Sequence, residues 1–197
     1  MIITQDISRI LRVLTEKKGS VIAYPTETVY GLGSRISDHD GIERIIRIKG
    51  RDAAKGMIVL ASSIEEVRTL ASLDHKQAAL LERFWPGPLS VVLPALAGLH
   101  PLLSPEGRVA VRITPHNLAR DLVLRAGPIT STSANLSGMP PACTAREVTD
   151  AGLDIDAVLD GGNIPGGSPS TLIDLTVWPP VCLRPGVIPF ETILKAL

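Results

Sequence analysis

The chain has 197 residues, with 20 Lys+Arg against 20 Asp+Glu and a formal net charge of zero. That balance argues against the overall basic footprint of a generic nucleic-acid coat protein, while leaving room for a local basic cleft. Hydrophobic residues at 45% and charged residues at 20% exclude a disordered chain and supply apolar surface for a sizeable core.

Cys143 and Cys182 are far apart and form no C-x-x-C pair, so idle thiols in a reducing compartment are expected rather than a disulfide framework. The N-terminal residues interleave Asp6, Arg9, Arg12 and Glu16 with apolar positions, unlike the apolar stretch of a signal peptide. No apolar run approaches the ~20 residues of a membrane-crossing helix. A cytoplasmic protein without membrane contact is expected.

Ile7, Ile10, Leu11 and Leu14 predict a helix with one buried face, opened by Asp6 and closed near Gly19. Residues 20–24 predict a short buried strand ending at Pro25. A second helix is expected after Asp40, with Ile42, Ile45 and Ile46 inward and an end near Gly50. Residues 57–61 read as strand. Ser63 with Glu66, and Asp74 with Gln77, are capping signals for two further helices.

Residues 89–93 and 109–113 predict strands, 115–125 a helix and 128–131 another strand. Thr144-x-x-Glu147 opens one more helix. Residues 157–159, 172–175 and 181–183 predict closing strands, and 190–196 a terminal helix. This interleaving predicts an α/β or α+β fold with a mixed sheet. With no evident linker or repeat, one domain spanning 1–197 is expected.

Three segments carry candidate chemistry. In Tyr24-Pro25-Thr26-Glu27-Thr28-Val29-Tyr30-Gly31-Leu32-Gly33, Thr26 and Thr28 offer hydroxyls. Gly31 and Gly33 permit positive φ or a close backbone approach to a ligand. Equally, the threonines could cap a strand–turn junction. Glu27 is a possible base with no evident titrating partner. Lys49 and Arg51 flank Gly50, where a helix end would let both aim at one anion, with Lys55 a few residues on; a solvated basic turn is the alternative.

The third segment, Ser131-Thr132-Ser133-Ala134-Asn135-Leu136-Ser137-Gly138, offers neutral donors suited to carboxylate or phosphate oxygens. It could also simply form its own turns. Trp85-Pro86-Gly87-Pro88 reads as a rigid turn with an aromatic anchor in the core. There is no P-loop, and residues 31–36 lack the third glycine of a dinucleotide fingerprint. His39, His75, His100 and His116 lack zinc-site spacing. Asp154, Asp156 and Asp160 are expected to decorate a helix and strand. Together the three segments predict a site for a polyanion and a small polar metabolite.

The segments 25–33, Lys49-x-Arg51, Trp85-Pro86-Gly87-Pro88, Val109-Ala110-Val111-Arg112, 131–138, Pro169-Ser170-Thr171 and Leu183-Arg184-Pro185-Gly186 occur in that order. In this the chain closely resembles the YrdC/TsaC-type threonylcarbamoyl-AMP synthases. The resemblance implies a twisted mixed sheet with flanking helices around a large concave basic cavity. It implies a nucleotidyltransferase that converts L-threonine, bicarbonate and ATP to L-threonylcarbamoyl-adenylate and pyrophosphate for the t6A modification of tRNA.

By the same resemblance, Lys49, Arg51, Ser133 and Asn135 form the active-site quartet. Thr28, Arg112, Ser131 and Ser170 contact threonine, and Arg51, Lys55, Ser133 and Arg184 contact ATP. Mg²⁺ arrives on the phosphates without a protein metal site, and proteins of the t6A-modification complex take up the adenylate. Leu60 stands where some relatives place a histidine near threonine. With the sequence ending about ten residues after Arg184-Pro185-Gly186, the extra C-terminal domain of the longer family branch is not expected. The alternatives are an RNA-binding module of the same fold, acting on tRNA or double-stranded RNA in tRNA or rRNA maturation, and a carbamoyl-transfer module like that of hydrogenase-maturation proteins.

Overall fold

The structure is a computed structural model that describes residues 1–50 and 56–197. β1 (Ile2–Thr4) leads into α1 (Ile7–Glu16), where the Asp6 carboxylate accepts from the Ser8 N–H at 2.8 Å and Ile7, Ile10 and Leu14 are buried. β2 (Ile22–Pro25) pairs antiparallel with β3 (Tyr30–Gly33). α2 (His39–Lys49) is capped by Asp38, so it begins earlier than the Asp40 boundary suggests, and it ends on Gly50 in the left-handed conformation. β4 (Ile58–Leu60), α3 (Ile64–Leu70) and α4 (His75–Glu82) follow.

Ser63 and Asp74 both cap as expected, and Asp74 with Gln77 forms the full reciprocal box. The Glu66 carboxylate instead accepts from the N–H and hydroxyl of Ser62, at 2.6 and 2.8 Å. Then come β5 (Leu89–Pro94), a 3-10 turn (Pro105–Gly107), β6 (Arg108–Arg112), α5 (Asn117–Ala126) and β7 (Ile129–Ser133). α6 (Ala145–Asp150), β8 (Ala157–Leu159), β9 (Thr171–Asp174), β10 (Val181–Arg184) and α7 (Phe190–Leu194) complete the chain.

The described strands form one ten-stranded sheet in the order β1-β8-β2-β3-β7-β4-β6-β5-β9-β10. Its pairs are both parallel (β1–β8, β4–β6, β5–β9) and antiparallel (β2–β3, β5–β6, β9–β10), the mixed sheet expected from the sequence. β7 pairs with β4 through Ile129–Ser131 and with β3 through Thr132 and Ser133. The strand joining the two halves of the sheet thus carries the serines of the third candidate segment.

Two apolar clusters bury the sheet. α1 and α5 bring Ile10, Leu14, Leu122 and Val123 onto Ile22, Ala157 and Ile129. The larger cluster joins Ile42 and Ile45 of α2 with Tyr30, Val59, Val91, Val111 and Ile173 from the strands. Asp156 is a tie between elements, not the surface decoration expected. Its Oδ2 accepts from the Val21 N–H at 2.9 Å and from Arg44 Nη1 at 2.6 Å, while Arg44 also reaches Asp154 and the Gly19 carbonyl. Among the described residues no helix is long and apolar enough to cross a membrane.

Candidate active site

A cavity of about 770 Å³ opens against the strands on the C-terminal side of β7 and is bounded by the loop after β2. Alternation along β6 places Arg108, Ala110 and Arg112 on one face, and all three line the cavity. Ile58 from β4, Val92 from β5, Leu172 from β9 and Leu183 from β10 give it an apolar floor. Thr28, Ser131, Ser133, Ser170, Arg112 and Arg184 all border this one space. Six of the residues assigned by resemblance therefore converge from five separate stretches of chain.

Arg112 is 5% exposed and held on two sides. Its Nε donates to the Gly87 carbonyl at 3.2 Å, and its Nη2 donates to the Glu27 carboxylate. The Trp85-Pro86-Gly87-Pro88 turn makes the first contact possible. Trp85 is buried, with its indole N–H donating to the Leu89 carbonyl at 2.7 Å, and the Gly87 N–H donates to the Ile113 carbonyl at 2.8 Å. A Cβ on Gly87 would lie 2.1 Å from the Phe84 carbonyl oxygen, so only glycine fits this bend. The turn does anchor an aromatic in the core, and it also orients an arginine.

Val91 of β5 pairs with Val111 of β6, so one step along the register Ser90 stands beside Arg112. The Ser90 and Ser170 hydroxyls share a buried hydrogen bond of 2.9 Å. Arg184 Nη2 donates to the Ser170 carbonyl at 2.9 Å and to its hydroxyl at 3.1 Å. A polar row thus runs from β6 through β5 and the residue just before β9 to β10, with an arginine at each end and two serines between. Ser90 had no site role in the sequence reading, and Glu27 was a possible base whose partner Arg112 the sequence did not show. The signal for Ser90 was its polarity at an alternate position of an apolar strand; for Glu27 it was proximity in sequence to Thr28 alone.

Lys49 and Asn135 lie just outside the lining. Lys49 is 5% exposed, and its Nζ lies 2.6 Å from the Ser133 carbonyl, 3.2 Å from the Ser133 hydroxyl and 2.8 Å from Asn135 Oδ1. The Ser133 hydroxyl donates to the same Oδ1 at 2.5 Å, and the Asn135 amide donates to the Met139 carbonyl. Three of the expected quartet are therefore in contact, with the Lys49 ammonium against the start of the loop after β7. Arg51 and Lys55, expected at ATP, lie outside the described residues.

Of the two uses expected of the glycines after β2, positive φ is not found, while Gly31 does border the cavity. Neither Gly31 nor Gly33 has positive φ. A Cβ on Gly33 would meet the Thr130 carbonyl at 2.5 Å and the Tyr24 ring at 2.7 Å, and one on Gly31 would meet the same ring at 3.2 Å. Tyr24 and Gly31 are register partners, so the glycines accommodate a buried aromatic ring. The Tyr24 hydroxyl donates to the Thr130 carbonyl at 2.9 Å. Burial pushes its phenol well above the ordinary value, against the opposing influence of the Ser131 hydroxyl and the Arg112 charge.

Thr26 is the capping threonine: its hydroxyl accepts from the N–H groups of Thr28 and Val29 and donates to the Val29 carbonyl at 2.7 Å. Both Thr26 and Thr28 border the cavity. Leu60 is fully buried in the cluster with Leu122, Val123 and Ile129 and does not line the cavity, so its side chain belongs to the core. Among the described residues no three His, Cys, Asp or Glu side chains are grouped to hold a metal ion.

The family model Sua5_yciO_yrdC, described as "Telomere recombination", matches residues 15–186. The threonylcarbamoyl-AMP synthase of Pyrococcus abyssi is 42% identical over 186 residues, covering 92% of this chain and 54% of that protein. The chain thus spans about half the length of that relative. The threonylcarbamoyl-AMP synthase of Chromohalobacter salexigens is 40% identical over 162 residues, covering 81% of this chain and 88% of its own length.

The crystal structure of P. abyssi Sua5 complexed with L-threonine superposes with a TM-score of 0.91 at 38% identity, over 100% of this chain and 60% of that one. That of E. coli YciO gives 0.86 at 27% identity, over 98% of both chains. With the family match running through the whole cavity wall from Thr26 to Arg184, the chain belongs to the Sua5/YciO/YrdC family.

Proposed function

We propose that this protein is an L-threonylcarbamoyladenylate synthase. The amine of L-threonine and bicarbonate form a carbamate, with loss of water. A carbamate oxygen attacks the α-phosphorus of ATP, the bond to the β-phosphate oxygen breaks, and pyrophosphate leaves with the electron pair. This chemistry asks mainly for charge neutralisation and for orientation of two anions, which fixed cations and hydroxyl donors supply.

The observation that carries the reading is the polar row from Arg112 through Ser90 and Ser170 to Arg184 along one cavity. Arg112 takes the threonine carboxylate, Thr28 and Ser131 its polar groups, and Ser170 lies between it and Arg184 at the phosphates. Arg51 and Lys55 complete the triphosphate site in this reading. Ser133 meets both reactants, with Lys49 and Asn135 holding it in place. Mg²⁺ would be held by the phosphate oxygens and would supply charge compensation there; among the described residues no three His, Cys, Asp or Glu side chains are grouped to hold it.

The adenylate would pass to the proteins that complete t6A on tRNA, in the cytoplasm, and the 1–197 chain would work as one domain. Pyrophosphate release by the purified protein tests the reading. Release is expected only when threonine and bicarbonate are both present, because together they form the nucleophile. Equal release with ATP alone would indicate a plain ATPase.

A further inference from the structure

Arg112 meets a charge of opposite sign before any substrate arrives. Glu27 comes from the loop after β2, and its Oε1 accepts from Arg112 Nη2 while its Oε2 accepts from the Thr114 hydroxyl at 2.7 Å. Thr114 is 1% exposed, and its hydroxyl also accepts from the His116 N–H at 3.2 Å. Both carboxylate oxygens are therefore committed, one to the arginine and one to a buried threonine that cannot swing away. With Nε committed to Gly87, the Arg112 guanidinium is fixed along two of its edges. Among the described residues its Nη1 has no protein acceptor, so this is the edge left for a ligand.

We propose that Glu27 is the positioning and specificity-determining residue of the amino-acid site. This inference rests on the proposed reaction and adds to it in two ways. First, Glu27 fixes the plane of Arg112 so that a ligand carboxylate finds Nη1 already aimed, with no side-chain entropy left to lose. Second, the Glu27–Arg112 pair has no net charge. A lone arginine would attract any small carboxylate, whereas the neutral pair gives a simple anion little Coulombic advantage. A zwitterion can satisfy both members, its carboxylate near Arg112 and its ammonium within the field of Glu27. The pair thus selects an α-amino acid over the corresponding hydroxy acid that lacks the amine.

Calorimetric titration with L-threonine, ATP and 3-hydroxybutyrate, a threonine analogue without the amine, tests this. In Glu27→Gln, the Kd for L-threonine should rise by about tenfold or more, as expected for a lost charge-assisted contact. The Kd for ATP should stay unchanged, and the preference for L-threonine over 3-hydroxybutyrate should shrink. Thr114→Val, which uncovers no charge, should weaken L-threonine by a smaller factor in the same direction. An unchanged Kd for L-threonine in either variant overturns the inference. So does an equal weakening of L-threonine and ATP with the preference intact, which is what a general loss of structure would produce.

Should Glu27→Gln not fold, the double variant Glu27→Gln/Arg112→Gln restores charge balance, and Thr114→Val still decides the point. In the double variant L-threonine should bind no better than in Arg112→Gln alone; tighter binding there overturns the inference. Wild-type protein that binds no L-threonine at all would instead overturn the proposed function, and this proposal with it.

Discussion

The ammonium of Lys49 lies 2.8 Å from the side-chain oxygen of Asn135, which pins the last residue of α2 beneath the loop leaving β7. The same ammonium reaches the backbone carbonyls of Ser133 and Asn135 at 2.6 and 2.9 Å. A buried charge surrounded by oxygens is well compensated while the cluster is complete, and becomes costly when one partner is lost. Lys49 therefore braces the Ser133 loop.

Lys49→Met removes the donor and strands several buried acceptors. Stability should fall by about 2 kcal/mol or more. The activity loss should be only partly recovered by Lys49→Arg, whose planar fork does not match a cluster built around a point charge. Denaturant midpoints and kcat for the two variants check this. A Lys49→Met protein of wild-type stability would place the lysine's role at the phosphates instead.

Gly33→Ala should be destabilised by about 2 kcal/mol, because its methyl group meets a backbone carbonyl and the Tyr24 ring below van der Waals distance. Gly31→Ala, whose nearest contact is 3.2 Å, should cost less. Urea denaturation of both variants decides between a packing role and a ligand role. Full stability with weakened substrate binding would return these glycines to the ligand.

These glycines show where sequence reading stops. Helices were legible wherever a capping side chain met apolar spacing, as at Asp6, Asp74 and Thr144. β3 was not, because two glycines in four residues suggest a loop, and the ring that fills their space is fixed only by the pairing with β2. β1 is a three-residue edge strand, too short for any periodicity. Within the site, Thr28, Arg112, Ser131, Ser133, Ser170 and Arg184 followed from the motifs, while Glu106 and Arg108 of the lining did not. The partners that hold them did not, since Glu27 meets Arg112 and Ser90 meets Ser170 across 85 and 80 residues of chain.

Asp156 gives the pH dependence of stability a definite sign. Burial alone would raise its pKa, but hydrogen bonds from Lys17, the Val21 N–H and Arg44 outweigh this and hold it below the ordinary 3.8. A depressed native pKa contributes stability in full above the ordinary value, and that stability is lost as pH falls through the native one. Asp156→Asn should therefore be less stable than wild type at neutral pH, with the gap closing below about pH 4. Chemical denaturation at pH 7 and pH 3 measures the gap; one that widened in acid would contradict the assignment.

Amino-acid selectivity tests the polar walls. In the proposed reading Thr28, Ser131 and Ser170 surround the side chain, so loss of the substrate hydroxyl should leave polar groups unpaired, which a site of this kind penalises strongly. Loss of the methyl group costs only about 1 kcal/mol if it is buried. The order of kcat/KM should be threonine, then serine, then valine. Valine equal to or better than serine would mean that the site reads shape.

The central claim is the identity of the product. Purified protein incubated with ATP, L-threonine and ¹³C-bicarbonate should yield, by mass spectrometry, threonylcarbamoyl-adenylate carrying the isotopic label, with one pyrophosphate formed for each adenylate. Formation of threonyl-adenylate without the label, or of ADP and phosphate alone, would contradict the account.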